Sequence, residues 1–598
     1  MFHHLEESLK RYFGYNGFRE HQKEIVEALL GQKDVLAILP TGAGKSICYQ
    51  LPALMMQGVA IVISPLISLM QDQVVALSKN GLPAAFLNSS LPFEEIQSVM
   101  NNLQNLKLLY VAPERFADKN FIQRLKSTKV SLFAIDEAHC ISQWGHSFRP
   151  DYRQLSLLKK EFSLTPIIAL TATATHEVKE DIVAQLTMKD PVVLKASFDR
   201  PNLTFLVQQK KDPLSQLSKF LESHVDQPGI IYAATRNTVD ETYESLIQKK
   251  YKVGKYHAGL SDKDRSQGQH DFVHGECLLM VATVAFGMGI HKPDIRFVVH
   301  LDMPRSLEQY YQEVGRAGRD GLPAECFLLY SAQDLRLYHL FLEKITDESL
   351  RKTTKAKTDK MYGFCKAPDC RRKELLKYFG EKYPVSHCGN CDNCLDDTQL
   401  TDETIIAQKI LSCVYRLHQR FGIKYVIDVL RGAKTKEIYD RTHDRLSTYN
   451  LLPDYSEPDL RYYIDVLIEK RFLERSEGEY PVLRWTDLSS TVTSGAEKVM
   501  LRKKIKSSLQ RKKIGDLQCN QELFIILSQI RRTLAQKNNV PTFVVFGDRT
   551  LIEMCKIYPK TREAMMQING VGPIKWTKYG QLFLEAIQLY TERDLKIR

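Results

Sequence analysis

Pro40-Thr41-Gly42-Ala43-Gly44-Lys45-Ser46 stands between a strand-like run, Leu36-Ala37-Ile38-Leu39, and a helix-compatible run from Ile47 to Met56. A glycine-rich turn in that setting aims backbone N–H groups at phosphate, and the lysine neutralises the β- and γ-phosphates of a nucleotide. The Ser46 hydroxyl suits Mg2+. Downstream, an apolar strand (Val130-Ser131-Leu132-Phe133-Ala134-Ile135) ends in Asp136-Glu137-Ala138-His139. That carboxylate pair can hold the same Mg2+ and polarise water. In this order the two stretches describe one ATP site. Leu39 occupies the position six before the lysine, where the general phosphate loop has glycine. This argues against a G-protein or kinase type of loop.

Outward from that site, short β-branched runs alternate with helical stretches. Ala60-Ile61-Val62-Ile63, Leu108-Leu109-Tyr110-Val111, Ile167-Ile168-Ala169-Leu170, Gly229-Ile230-Ile231-Tyr232, Leu278-Leu279-Met280-Val281 and Phe297-Val298-Val299-His300 are the strands expected. The alternation predicts an α/β fold with parallel sheets covered by helices. Its length suits two such domains, with the break near Asp199-Arg200-Pro201-Asn202. Past residue 340 the strand runs thin out, Lys, Arg and Tyr rise, and cysteines cluster at 388, 391 and 394.

The chain has 598 residues, which implies about four domains by length alone. Its 83 Lys and Arg against 71 Asp and Glu give a net charge of +12, suited to a polyanionic partner. No apolar run approaches the ~18 residues of a membrane span. Met1-Phe2-His3-His4-Leu5-Glu6-Glu7 does not read as a signal peptide. Twelve cysteines in so long a chain do not form a disulfide framework; their clustering points to a metal in a reducing compartment.

In the second half, Tyr310-Tyr311-Gln312-Glu313-Val314-Gly315-Arg316-Ala317-Gly318-Arg319 places two arginines three apart, read here as one face of a helix start. An arginine presented across a cleft stabilises the γ-phosphoryl transition state. A solvated basic helix face is the alternative. Ala169-Leu170-Thr171-Ala172-Thr173 offers two hydroxyls to link the ATP site to another surface.

These stretches resemble superfamily 2 helicases and specifically the RecQ family, over essentially the whole chain. Phe18-Arg19-x-x-Gln22 is similar to the family's adenine-reading motif, with Tyr15 implied to stack on the base. Val62 to Gln73, Tyr110 to Arg115, Tyr256 to Ser261 and Val281 to Ile290 match further family motifs. Ala43 departs from the glycine of many relatives and is tolerable if its φ is negative. The resemblance implies an ATP-driven helicase moving 3′→5′ on DNA, of the helicase variant that Leu39 fits. It assigns candidate roles. Tyr15, Arg19, Gln22, Thr41, Gly42, Ala43, Gly44, Lys45 and Ser46 bind the nucleotide. Ser46 and Asp136 hold Mg2+, Glu137 activates water, and Gln312 lies near the γ-phosphate. Arg319 is the finger, with Arg316 coupling or sharing that role. His139 to Pro150 resembles the aromatic-rich loop, whose Trp144 and Phe148 offer faces for bases and whose Arg149 offers a phosphate contact.

Cys370, Cys388, Cys391 and Cys394 have the spacing C-x17-C-x2-C-x2-C. Four thiolates hold Zn2+ tetrahedrally with no position open for catalysis, so the site reads as structural. The first ligand is expected on a helix. Cys365 is a fifth thiol that spacing alone does not exclude; by family match it is not a ligand. Residues 401 to 500 resemble the family's winged helix, with a hairpin from Phe472 to Trp485 whose short tip suits bacterial members. Val540 to Lys575 resembles the HRDC domain, where the amides of Asn569-Gly570-Val571-Gly572 either face phosphate or merely close a packing turn.

The expected organisation is a RecA-like domain over 1–205, a second over 206–340, and a helical zinc-binding module over 341–400. A winged helix over 401–500, a basic linker over 501–516 and an all-α HRDC domain over 517–598 complete the chain. Expected partners are single-stranded, forked or branched DNA and, by resemblance, a single-stranded-DNA-binding protein; no membrane is expected. The expected setting is a bacterial cytoplasm and the work of recombination, repair and replication. A translocase that hydrolyses ATP without unwinding, and a non-catalytic DNA-binding scaffold, are the alternatives. The intact Lys45, Asp136, Glu137 and Arg319 count against the scaffold.

Overall fold

The computed structural model describes residues 4–597 except 66, 80, 89–90, 143–148, 288–289, 291, 344, 396–399, 477–480 and 503–518. Two compact units are present: Met1–Asp392 with Arg511–Arg598, and Asn393–Gln510.

The first unit contains two parallel sheets. Strands β1 (Val35–Ile38), β2 (Val59–Ile63), β3 (Ala84–Leu87), β4 (Leu108–Val111), β5 (Val130–Ile135), β6 (Ile167–Thr171) and β7 (Val192–Lys195) form one, in the order β3-β4-β2-β5-β6-β1-β7. Strands β8 (Leu203–Gln209), β9 (Gly229–Tyr232), β10 (Val253–Tyr256), β11 (Leu279–Ala282), β12 (Phe297–His300) and β13 (Ala324–Tyr330) form the other, in the order β10-β11-β9-β12-β13-β8. Parallel strands covered on both faces are buried throughout, and β1, β2, β4 and β6 are. That is why these strands read as unbroken apolar runs rather than as alternation.

In the first sheet the candidate nucleotide loops leave the C-terminal strand ends. The phosphate loop succeeds β1, and Asp136 succeeds β5. Val62 pairs with Ala134 in register, and the Asp136 amide donates to the Ile63 carbonyl at 2.9 Å. The carboxylate is thereby fixed beside the sheet edge where the nucleotide loop turns.

The link between the sheets, residues 196–202, is held by residues C-terminal to the second sheet. Phe198 N and Ser197 Oγ donate to the Glu381 carboxylate at 2.8 and 2.5 Å. The Arg372 guanidinium bonds Asp199 and donates to the carbonyls of Arg200 (2.8 Å) and Leu203 (2.6 Å).

The C-terminal block of this unit is helical as expected, built on Gln521–Lys537, Asp548–Ile557 and Gln581–Ile597 around Leu523, Leu527, Phe546 and Phe583. The Asn569–Gly572 turn is closed from within. The Asn569 amide donates to Glu553, the Val571 amide to the Ile568 carbonyl, and Thr550 Oγ1 caps the Asn569 carbonyl. This favours the packing-turn alternative.

The second unit packs the helices Thr404–Arg416, Ile423–Leu430 and Glu457–Glu469 on a hairpin of Leu473–Arg475 and Leu483–Trp485. The hairpin tip, with Gly478 and Tyr480, and the expected basic linker beyond Arg502 lie outside the described residues.

Candidate nucleotide site and metal centre

Gly42 and Gly44 have φ of 89° and 81°, a left-handed backbone open to glycine. Ala43 is not among the positive-φ residues, so its methyl is accommodated. At Gly44 a Cβ would also stand 2.6 Å from Gln22 Nε2. Gln22 donates to the carbonyls of Ala43 (2.9 Å) and Gly44 (3.1 Å), and its Oε1 accepts from the Arg19 amide at 2.9 Å. Arg19 itself bonds the Gly42 carbonyl. Arg19 and Gln22 are thus in direct contact with the phosphate loop. Tyr15 is 45% exposed. Ser46 is the residue before the helix Ile47–Met55, its hydroxyl making no capping bond, and Lys45 folds back to the Leu39 carbonyl at 3.3 Å.

Asp136 and Glu137 face Lys45. Burial and the neighbouring Glu137 charge push the Asp136 carboxyl up to about 7. Glu137 sits at φ 48°, a strained backbone for a side-chain-bearing residue. His139 is pushed down to about 3 by burial and stays neutral. Its 3.3 Å approach to Glu137 is therefore not an ion pair at neutral pH, and its Nδ1 also meets Thr171 Oγ1 at 3.1 Å. That contact joins the DEAH turn to the Thr171–Thr173 strand end.

The second sheet brings the arginines. They are not on a helix start: the helix Leu307–Val314 ends first, and residues 315–320 are turns. Gly315 lets the chain leave the helix against the other sheet, since a Cβ there would meet Thr41 Cβ at 3.0 Å. Arg316 is 8% exposed and bonds the Gly287 carbonyl. Arg319 Nη1 donates to the Ile290 carbonyl at 2.8 Å, while its Nε is buried without a partner. Burial and the Arg316 charge lower Arg319 to about 9. Its Cγ lies 3.4 Å from where a Gly42 Cβ would be. Gln312, half-buried, is on the helix Leu307–Val314 that precedes this turn. Lys45, Arg316 and Arg319 form no ion pair among the described residues. Unpaired cations beside two carboxylates suit a polyphosphate with its metal.

Five family models match in order along the chain: DEAD/DEAH box helicase over 19–181, Helicase conserved C-terminal domain over 212–321, RecQ zinc-binding over 332–395, RQC domain over 397–510 and HRDC domain over 520–587. The ATP-dependent DNA helicase RecQ of Pasteurella multocida is 44% identical, over 96% of this chain and 92% of that protein. The proteins of the same name from Haemophilus influenzae and Bacillus subtilis are 43% and 42% identical, over 97% and 99% of this chain and 95% and 99% of theirs. The chain belongs to the RecQ helicase family.

In this RecQ chain the four expected zinc ligands converge: the Sγ atoms of Cys370, Cys388, Cys391 and Cys394 all lie within 4.8 Å of one another. Tetrahedral Zn–S bonds of about 2.3 Å put sulfurs about 3.8 Å apart, so the cluster fits Zn2+. Cys370 is the residue before the helix Arg371–Tyr378, its N-cap, rather than on the helix. Cys365, on the helix Glu348–Lys366, is buried outside the cluster.

Of the expected DNA contacts, Trp144 and Phe148 lie outside the described residues. Arg149 donates to the Pro65 carbonyl at 3.2 Å, tying its loop to the end of β2. No helix among the described residues is long and apolar enough to cross a membrane.

Sequence reasoning misses Arg200. In sequence it reads only as part of a domain break, yet its guanidinium reaches the phosphate loop. An arginine between two sheets, with Pro-Asn directly after it, is the available signal.

Proposed function

We propose that this chain is an ATP-dependent DNA helicase that moves 3′→5′ on one strand and opens forked or branched duplexes in recombination, repair and replication. The observation that supports this best is the meeting of Lys45, Asp136 and Glu137 from one sheet with Arg319 from the other. The relatives' names, ATP-dependent DNA helicase, point the same way.

In this reading Lys45 and the loop amides hold the β- and γ-phosphates, and Tyr15, Arg19 and Gln22 hold the base. Ser46 and Asp136 would hold Mg2+, which when bound offsets phosphate charge. Glu137 takes a proton from water as its oxygen attacks the γ-phosphorus and ADP leaves. Arg319 leaves the Ile290 carbonyl to stabilise charge on the transferring group, with Arg316 beside it. Gln312 orients near the γ-phosphate. Sheet-to-sheet closure on ATP and opening after hydrolysis step the protein along phosphates, independent of base sequence. Trp144, Phe148 and Arg149 report strand occupancy to the carboxylates. The domain limits expected from the sequence, a single-stranded-DNA-binding protein as partner and a bacterial cytoplasmic, nucleoid-associated location belong to the same proposal.

The test is ATP hydrolysis with and without single-stranded DNA, for the parent and Trp144→Ala, beside unwinding of a forked duplex with a 3′ tail. Strong stimulation in the parent, lost in the variant, with duplex opening, is expected. ATP consumption without duplex opening would leave a translocase; equal hydrolysis with and without DNA would remove the coupling.

A further inference from the structure

Arg200 lies in the link between β7 and β8, and its guanidinium joins both halves of the motor. Nη1 donates to the Thr41 carbonyl at 2.8 Å, at the mouth of the phosphate loop, and to the Gly315 carbonyl at 3.4 Å. Nη2 donates to the carbonyls of Ala317 (3.0 Å) and Gly318 (2.8 Å). These four bonds end on carbonyl oxygens and none on a carboxylate. A half-buried guanidinium whose bonds all end on carbonyls gives up hydration without a direct ion pair, Asp320 acting on it only through its charge, and that cost is offset where position matters. A planar fork with donors at fixed angles suits this geometry; an ammonium offers a point charge.

The neighbourhood is built around that fork. A Cβ at Gly42 would stand 3.4 Å from Arg200 Nη1 and 3.4 Å from Arg319 Cγ, so the two arginines flank one glycine. Asn202 Nδ2 holds the other end of the turn, donating to the carbonyls of Gly318 (2.9 Å) and Leu322 (2.8 Å). A Cβ at Gly318, where φ is 55°, would come within 2.4 Å of that nitrogen. The backbone under Arg200 is pinned in turn by Arg372 and Glu381. The turn carrying Arg316 and Arg319 is thus registered on the phosphate loop through a side chain that belongs to neither.

We infer that Arg200 is a positioning residue for ATP hydrolysis: bridging the Thr41 carbonyl to those of Gly315, Ala317 and Gly318, it sets where Arg319 stands relative to the γ-phosphate. This rests on the proposed ATPase activity. Arg200 is not itself assigned as a phosphate ligand, because its four Nη donors already go to the Thr41 carbonyl and to three carbonyls of the turn.

Full-length Arg200→Ala, Arg200→Lys and Arg200→Gln are compared with the parent for DNA-stimulated ATP hydrolysis, each also in an Arg319→Ala background, with thermal melting alongside. Arg200→Ala should lower kcat at least about tenfold while KM for ATP moves less than about twofold. Lysine should restore little, because one ammonium does not span both sides. In the Arg319→Ala background removing Arg200 should cost less than about twofold, since the residue acts through Arg319. A purely structural part would instead multiply the two losses and lower the melting temperature, and that result overturns the inference. So does unchanged kcat, or a raised KM at unchanged kcat, which would make Arg200 an ATP ligand. If Arg200→Ala does not fold, the same criteria apply to Arg200→Gln, which keeps two donors. A parent without DNA-stimulated hydrolysis would defeat the functional reading, a failure distinct from any of these.

Discussion

Asp136 is where burial and charge oppose one another most plainly. Its carboxyl is pushed up to about 7 by burial first and Glu137 second. A carboxyl whose folded pKa exceeds its unfolded value favours folding while protonated; that advantage is complete below about pH 4 and is lost as pH rises through about 7. At pH 8 the charged form burdens the nucleotide-free fold by at most about 4 kcal/mol. Asp136→Asn should therefore melt higher than the parent at pH 8 without nucleotide, with the gain shrinking towards pH 6, and should hydrolyse no ATP. Thermal melts across that range check it; a lower melting temperature at pH 8 would mean that Asp136 is held by contacts stronger than its desolvation. Lys45 makes the complementary case. Burial lowers its ammonium and its contact is one carbonyl at 3.3 Å, so Lys45→Ala should leave the fold in place and remove hydrolysis by about a hundredfold or more. Circular dichroism beside an ATPase assay separates the two effects.

Elements show what sequence does and does not carry. Ala60–Ile63 and Leu108–Val111 fall within observed strands because a buried parallel strand is apolar at every position. The phosphate loop is legible because Gly42 and Gly44 need left-handed backbone. The turn of Arg316 and Arg319 is not legible as a turn, since i,i+3 spacing is what a helix would also show. The zinc spacing is legible, but the use of the knuckle is not. Asn390, between Cys388 and Cys391, donates to the carbonyls of Pro201 and Leu203 at 3.0 and 3.1 Å, and its Oδ1 accepts from the Thr204 hydroxyl at 2.6 Å. Such bonds join residues distant in sequence and leave no local pattern. The knuckle and Arg372 together fix the inter-sheet link. A strong chelator should release one Zn2+ per chain and raise amide exchange over 197–207, while β1 and β2 stay protected. Exchange confined to 370–394 would show that the link holds without the metal. Arg372→Ala should destabilise by about 2–4 kcal/mol in urea unfolding, by removing a buried guanidinium's bonds to the Arg200 and Leu203 carbonyls and leaving the Asp199 carboxylate without its ion-pair partner.

Across the first unit, the C-terminal block lies against the motor beside the nucleotide site. Asn16, next to Tyr15, donates through Nδ2 to the Gln567 carbonyl at 3.4 Å. Gly14 and Gly572 meet backbone to backbone, and a Cβ at Gly572 would stand 3.2 Å from Gly14 Cα. On the other sheet, the Arg531 charge acts on buried Asp294, and Arg549 Nη1 lies 3.9 Å from where a Gly321 Cβ would be, two residues past Arg319. One small helical block thus touches the chain on both sheets' sides, at the loop carrying Tyr15 and behind the arginine turn. Neither contact is large, and paired glycines are a contact that a single side chain can pry apart. Gly572→Trp should raise amide exchange over 13–18 and 318–322 together, leaving the helix Gln521–Lys537 protected, because the block separates as a folded piece. A rise over 13–18 alone would mean the two contacts are independent. No rise at either would mean that the block does not rest on the motor in solution, and Tyr15 would then be positioned by the first sheet alone.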